Sequence, residues 1–217
     1  MKELIKDLKE QLCWASREIY QRGLVNIGEG NISIRVKGKN EMIITPSRND
    51  YRMPMSEDMV HMTLAGKLVE GNNKPSSESY LHRVFYKARP NVNCIIHTHS
   101  PYTSSLSIQH KGIPVIFEEM LIFLGGSVPC AKYAMAGTAN LGKNAIQSMG
   151  NQNVVILANH GSIVVGKTME YCVNTAQLVE KMAKIFVLAN FSPDIKKIPE
   201  EKQVDFRLQF VEEFSTV

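Results

Sequence analysis

The stretch of this sequence richest in reactive groups is Cys94-Ile-Ile-His97-Thr-His99. An apolar run ending in a His-x-His pair predicts a buried strand, and residues two apart on a strand project to the same face. His97 and His99 are thereby expected to aim two imidazoles at one spot. That suits a divalent ion such as zinc, whose nitrogen ligands sit at about 2.0–2.1 Å. Two polar histidines at a strand end would give the same pattern without a metal. His160 closes another apolar run, Val154-Val-Ile-Leu-Ala-Asn159, and precedes Gly161, so it predicts a second strand-rim histidine; taken alone it reads as a hydrogen-bonded loop residue. The remaining ligand of such a set would be a carboxylate. Glu78 follows Ser76 and Ser77 in the first turn of a predicted helix, where the helix dipole favours negative charge and where an acid is also ordinary. His82, four residues on, shares that helical face and is either a rival ligand or a partner of one. His61 and His110 have no companion signal and read as surface or structural residues.

Three small-residue turns could serve an anion. Gly28-Glu-Gly30-Asn31 places two glycines before a strand, where backbone N–H groups can approach a ligand closely. It is not a dinucleotide fingerprint, because no helix follows and the glycine spacing is absent. Thr45-Pro-Ser47 is a second turn, and Pro75-Ser76-Ser77 is a third, at a helix N-terminus with free N–H groups. Turns and helix caps use the same residues without any ligand, so each is weak by itself.

The elements that must position these groups follow from periodicity. Apolar positions from Leu4 to Tyr20 recur at three and four, predicting an amphipathic helix over 2–22 that stops at Gly23. Alternation over 31–36 and 41–45 predicts a hairpin across the turn at 37–40. A turn at Gly66 precedes another short strand near Leu68-Val69. A helix is expected over 78–88, ended by Pro90, then a strand over 92–99, a short helix over 101–109 and a short strand over 114–116. Residues 118–124 are ambiguous. Helices over 138–149 and 168–190 flank strands at 154–159 and 163–165, and the stretch from Asp205 to Val217 is too irregular to assign. With no internal repeat or long linker, one α/β domain spanning 1–217 is expected.

Bulk properties narrow the function classes. At 44% hydrophobic and 21% charged residues the chain has an ordinary globular composition. Its net charge of +4 comes from scattered lysines without a basic block, which argues against nucleic acid and is compatible with phosphorylated substrates. No apolar run approaches the roughly 18 residues of a membrane span, and the charged start is not a signal peptide. Cys13, Cys94, Cys130 and Cys172 are far apart and read as buried thiols of a reducing cytoplasm rather than a disulfide framework.

Taken in order, Gly30-Asn31-Ile-Ser33, Ile44-Thr-Pro-Ser47, Pro75-Ser-Ser-Glu78, His97-Thr-His99, Val128-Pro-Cys-Ala-Lys-Tyr133 with Gly137-Thr138, and Asn159-His160-Gly161 resemble the class II aldolase/adducin family, in its fuculose-phosphate-cleaving branch. The resemblance covers about residues 5–190. It implies a three-layer α/β/α fold around a largely antiparallel sheet, and a homotetramer with active sites at subunit interfaces. It implies zinc on Glu78, His97, His99 and His160, with manganese or cobalt as alternatives, and substrate phosphate near Gly30, Asn31, Ser47, Ser76 and Ser77. Tyr133 matches a tyrosine that the family supplies from the neighbouring subunit. The implied reaction is metal-dependent cleavage of a phosphorylated ketose such as L-fuculose 1-phosphate to dihydroxyacetone phosphate and a small aldehyde. In it Glu78 and Tyr133 handle protons and no lysine Schiff base is needed.

Two positions depart from that branch. Arg48 stands where a glycine is usual, either adding a phosphate contact or blocking the backbone approach. Glu119 stands beside Met120 in a context like that of the family's methylthioribulose-phosphate dehydratases, so it is either an acid/base for dehydration or a salt-bridged acid. Dehydration is therefore one alternative. Epimerisation at C4 is another, although the segment expected after the His-x-His of such epimerases is absent. A non-enzymatic, adducin-head-like module is a third, opposed by the presence of all four candidate ligands. The tail, 191–217, is a candidate contributor to the pocket.

Overall fold

The computed structural model describes residues 2–190 and 194–217. The chain runs α1 (Lys2–Gln21), β1 (Asn31–Val36), β2 (Glu41–Ile44), β3 (Val60–Thr63), β4 (Leu68–Glu70), α2 (Ser79–Ala88), β5 (Cys94–Thr98), α3 (Pro101–Ile108), α4 (Glu118–Leu124), β6 (Cys130–Ala131), α5 (Ala139–Met149), β7 (Val154–Leu157), β8 (Gly161–Gly166), α6 (Met169–Ala189) and α7 (Val204–Glu213). The eight strands form one sheet in the order β4-β3-β2-β1-β5-β8-β7-β6. Every pairing is antiparallel except β6 with β7.

Side chains two apart on a strand share a face, and this period sorts the interior into two layers. Ile32, Ile34, Ile43, Cys94, Ile96, Val154, Ile156 and Val164 pack against α1, α3, α4 and α6. The alternate residues Met42, Ile44, Ile95, Val155, Leu157, Ile163 and Val165 pack against α2 and α5. The result is helix–sheet–helix, the three-layer arrangement expected. Asn31, Ser33 and His97 fall on the α2–α5 face, in register across β1 and β5 with Asn31 opposite His97 and Ser33 opposite Ile95. Polar groups at adjacent ends of two central strands thus face one another on the α2–α5 side of the sheet.

The departures from expectation have local causes. Residues 114–116 are not a strand: only Ile113 bridges, to Val128, and Pro114 has no N–H to continue a ladder. Residues 118–124 resolve as α4, closed by Gly125 at φ 85°. The two-residue β6 was too short to show a period. The irregular tail forms α7: Phe210 is buried, Phe214 stacks on Tyr171 at 4.9 Å, and Thr216 donates to Asn153 Oδ1 at 2.8 Å. These contacts dock residues 210–216 at the start of β7, the end of that strand away from His160; residues 191–193 of the tail lie outside the described residues. Cys13, Cys94 and Cys172 are buried free thiols, while Cys130 is half-buried rather than fully enclosed. Among the described residues no helix is long and apolar enough to cross a membrane.

Candidate active site

His97 is the next-to-last residue of β5, its side chain fully buried, and its Nδ1–H donates to the Ser162 carbonyl of neighbouring β8 at 2.8 Å. That bond fixes the tautomer and leaves the Nε2 lone pair facing outward from the sheet end. His99, two residues on, projects to the same side. His160 sits in the tight β7–β8 connection, where Asn159 adopts φ 54° and His160 N–H donates to Leu157 O at 3.1 Å. Gly161 is required at this crossing: a Cβ there would collide with the Thr98 carbonyl and the His99 ring. Gly30 is required on the other flank, at φ 63° and packed so closely on the His97 carbonyl that a Cβ would overlap it.

Glu78 reaches the same point from the N-terminus of α2. It was expected inside the first helical turn, but it is the residue preceding Ser79, at φ −98° and ψ 11°, and its side chain makes no capping bond. The chain is held there by Glu78 N–H donating to Ser76 Oγ at 3.2 Å. The carboxylate instead points across to the sheet. Its Oε2 lies 3.1 Å from His97 Nε2 and accepts from Asn31 Nδ2 at 3.0 Å, and its Oε1 lies 3.2 Å from His160 Nε2.

Among the described residues, one ligand atom each from Glu78, His97, His99 and His160 fall within 4.8 Å of one another. The three rings meet edge to face, with centroids 4.7, 4.8 and 5.0 Å apart. His97 Nε2 and His99 Nε2 face each other at 2.9 Å. With its Nδ1 already donating, a neutral His97 turns its Nε2 lone pair to this point, where a proton on His99 Nε2 or a metal ion can meet it. Glu78 Oε1 accepts no well-directed hydrogen bond although it is buried. A tetrahedral ion with bonds of about 2.0–2.1 Å needs donor atoms some 3.3 Å apart, close to the 2.9, 3.1 and 3.2 Å of three of these pairs. The residues therefore fit a divalent cation.

The electrostatics of the bare protein point the same way. Burial opposes ionisation of Glu78, but His97, His160 and Asn31 outweigh it and hold the carboxyl far below its usual range. Burial likewise opposes charge on His97, and the Glu78 carboxylate overrides it, raising its pKa. His99 is pushed down to about 3 by burial and by His97 and His160, and His160 to about 4 by burial and by His97. Two imidazoles are thus neutral near pH 7, the form that binds a metal.

The remaining candidates divide into those beside this cluster and those away from it. The three small-residue turns adjoin one another: Ser47 N–H donates to Lys74 O at 2.9 Å, Ser76 N–H to Thr45 O at 3.2 Å, and Gly28 N–H to Asn49 O at 3.2 Å. Gly30 and Asn31 join them to the cluster, with Ser76 buried and Ser47 and Ser77 exposed. Arg48 is exposed at φ 59°, a backbone region natural to glycine. His82 is not a ligand in this geometry; it is fully buried and bonded to Asn31 and Ser33. His61 bonds Glu41 at 2.9 Å and His110 bonds Asn159 at 2.6 Å. Glu119 is away from the cluster: it pairs with Lys181 at 2.8 Å and lines a cleft of about 490 Å³ with Phe123 and Tyr171. Tyr133 follows β6 and is 60% exposed. Three strand spacings, roughly 14 Å, separate β6 from β5. Sequence reasoning did not single out Ser33 and Tyr86, which join His82 in a buried hydrogen-bonded chain. The signal was present, since Ser33 is two residues from Asn31 on a strand and Tyr86 four from His82 on a helix.

An α/β sheet whose central strand ends deliver three imidazoles to one carboxylate has the donor set of a metal centre. Residues 10–187 match the family model described as Class II Aldolase and Adducin N-terminal domain, and the chain belongs to that family. It is 30% identical over 207 residues to a 5-deoxy-D-ribulose 1-phosphate aldolase of Bacillus thuringiensis, covering 95% of this chain and 97% of the relative. It is 31% identical over 180 residues to an L-fuculose phosphate aldolase of Escherichia coli K12, covering 83% and 82%. A solved L-fuculose 1-phosphate aldolase superposes with a TM-score of 0.89 at 32% identity, covering 94% and 96%.

Proposed function

We propose that this chain is a zinc-dependent aldolase that reversibly cleaves a phosphorylated ketose, of the L-fuculose 1-phosphate kind, to dihydroxyacetone phosphate and a small aldehyde. The observation that carries the reading is the convergence of Glu78, His97, His99 and His160 beside three turns rich in glycine and serine. A bound zinc ion would supply Lewis-acid polarisation of the ketose carbonyl and offset the negative charge that develops as the carbon–carbon bond breaks.

The chain's own residues do the rest. Backbone N–H groups and hydroxyls around Gly30, Asn31, Ser47, Ser76 and Ser77 bind the phosphate, with Arg48 at the rim as an added cation. Glu78, which would be one of the ion's ligands, takes or returns a proton at the substrate's hydroxyl. Tyr133 donates a hydrogen bond or proton at the aldehyde oxygen. Its exposure and its distance along the sheet from the cluster in its own subunit support delivery across an interface, in a homotetramer that works in the cytoplasm as one domain over 1–217. Dehydration is less well supported, because Glu119 is engaged by Lys181.

The product identifies the reaction. Zinc-loaded protein given L-fuculose 1-phosphate or 5-deoxyribulose 1-phosphate is expected to release dihydroxyacetone phosphate, read by coupled reduction or by NMR. A product that keeps all its carbons and has lost water would overturn aldol cleavage in favour of dehydration.

A further inference from the structure

We infer that His82 is a positioning residue for this site: its imidazole, held between Ser33 and Asn31, locks the Asn31 amide with its nitrogen toward Glu78. The inference rests on the metal reading above and adds to it a chain of groups that reaches from the core of α2 to the carboxylate.

The chain has five members and one consistent direction. A carboxylate only accepts, so the Asn31 atom 3.0 Å from Glu78 Oε2 must be the amide nitrogen. Asn31 Oδ1 is then the atom 2.5 Å from His82 Nε2, and His82 must carry its proton on Nε2. The ring has no exposure and no carboxylate partner, so it is the neutral form that burial permits. Nδ1 is accordingly an acceptor, and Ser33 Oγ–H, 2.6 Å away, donates to it. Ser33 Oγ, its own proton committed to Nδ1, in turn accepts from the Tyr86 hydroxyl at 2.8 Å, the shorter of that hydroxyl's two contacts, the other being the Asn93 carbonyl at 3.3 Å. Each buried group is satisfied in this direction. Reversing the Asn31 amide would set its oxygen against the carboxylate and its nitrogen against the Nε2–H, leaving two repulsive contacts in a dry environment.

This matters because the two ends of an asparagine amide are nearly the same size, so packing alone does not choose between them. The Glu78 carboxylate makes that choice and the Nε2–H of His82 locks it. Through His82, α2 holds both the charge-assisted bond that keeps Glu78 toward the three histidines and the face that Asn31 offers beside the phosphate turns. A neutral amide in the middle of the chain makes a poor proton conductor, so the arrangement orients rather than relays. The plain alternative is a buried histidine that merely fills space between β1 and α2.

Two substitutions separate these roles. His82→Gln keeps an N–H near the position of Nε2, whereas His82→Asn keeps an acceptor near Nδ1 and loses the donor to Asn31. The measurements are the Zn2+ dissociation constant by competition with a chromophoric chelator, the visible absorption of the Co2+-loaded protein, and the thermal midpoint. His82→Asn is expected to weaken Zn2+ by about tenfold or more, the range for lost ligand-supporting bonds, and to shift the Co2+ bands, with His82→Gln much closer to wild type. Equal affinities and spectra for both variants would overturn the inference. A readout that needs neither variant nor metal is the nitrogen NMR of the wild-type imidazole. A neutral Nε2–H tautomer is expected for His82, and an Nδ1–H tautomer would overturn the inference even if the variants do not fold. Wild-type protein that takes up no Zn2+ would instead remove the metal reading, and the tautomer would still judge the chain.

Discussion

At the scale of residues, each ligand takes its aim from a backbone constraint. His97 and His99 share a face because they are two apart at the end of β5, and the Ser162 carbonyl sets the tautomer of the first. His160 is turned inward by the αL residue Asn159 before it. The His-x-His spacing made the first pair readable from the chain. Nothing local could tell that Glu78 and His160 join them, since each looks like a common cap or loop residue; there the resemblance carried what periodicity did not. His82 shows the converse, a plausible ligand by spacing that the fold gives to Asn31. Replacing His160 by alanine is expected to weaken Zn2+ by more than about 100-fold, beyond the usual cost of losing a supporting partner, with little loss of fold; calorimetric titration would show it. Tyr133→Phe is expected to lower turnover by more than about tenfold with metal content unchanged, as for a lost proton donor. Full activity in that variant would remove Tyr133 from the reaction.

At the scale of elements, the site depends on close approach among β1, β5 and β8 rather than on the helices around them. Gly30 and Gly161 mark the two crossings where a single added carbon meets a carbonyl of β5. Gly161→Ala and Gly30→Ala are each expected to destabilise the protein by about 1–3 kcal/mol, the usual cost of overpacking, seen as a lower urea midpoint. Both should weaken metal binding as well, because the strained carbonyls belong to Thr98 and His97. A variant with unchanged stability would show that the strands separate more easily than their packing indicates. The long helices α1 and α6 and the strand β1 were legible from their periods, and β5 and β7 from their continuous apolar runs. The two-residue β6 and the helix α4 were not, and residues 114–116 misled because a β-branched stretch beside a proline mimics a strand. The tail helix α7 resisted because little of it is buried, with Phe210 its buried residue.

For the whole molecule, the buried imidazoles couple the site to stability. His82 and His99 are pushed down to about 3 and His160 to about 4, against about 6.5 in an unfolded chain. Between those values the unfolded state binds more protons than the native one, so stability rises with pH across that window. His97 is shifted the other way and offsets part of the effect, its contribution being lost as pH rises through its native pKa. Metal-free protein is therefore expected to lose stability as pH falls from about 6.5 toward 4. His82 alone accounts for roughly 2 kcal/mol at pH 5, and denaturation midpoints at several pH values would measure the slope. A flat profile would mean that the imidazoles are more hydrated than their burial indicates. Added zinc should raise the midpoint at neutral pH and do so less in acid, since protons compete for the same nitrogens.

The central claim is that four side chains hold a metal on which carbon–carbon cleavage depends. Its most direct measurement is dihydroxyacetone phosphate release from L-fuculose 1-phosphate by one protein sample, before chelation, after chelation and after zinc is restored. Release that is lost on chelation and regained with zinc is the predicted result. Release that persists in metal-free protein, or none from protein carrying one zinc per chain, would contradict the account.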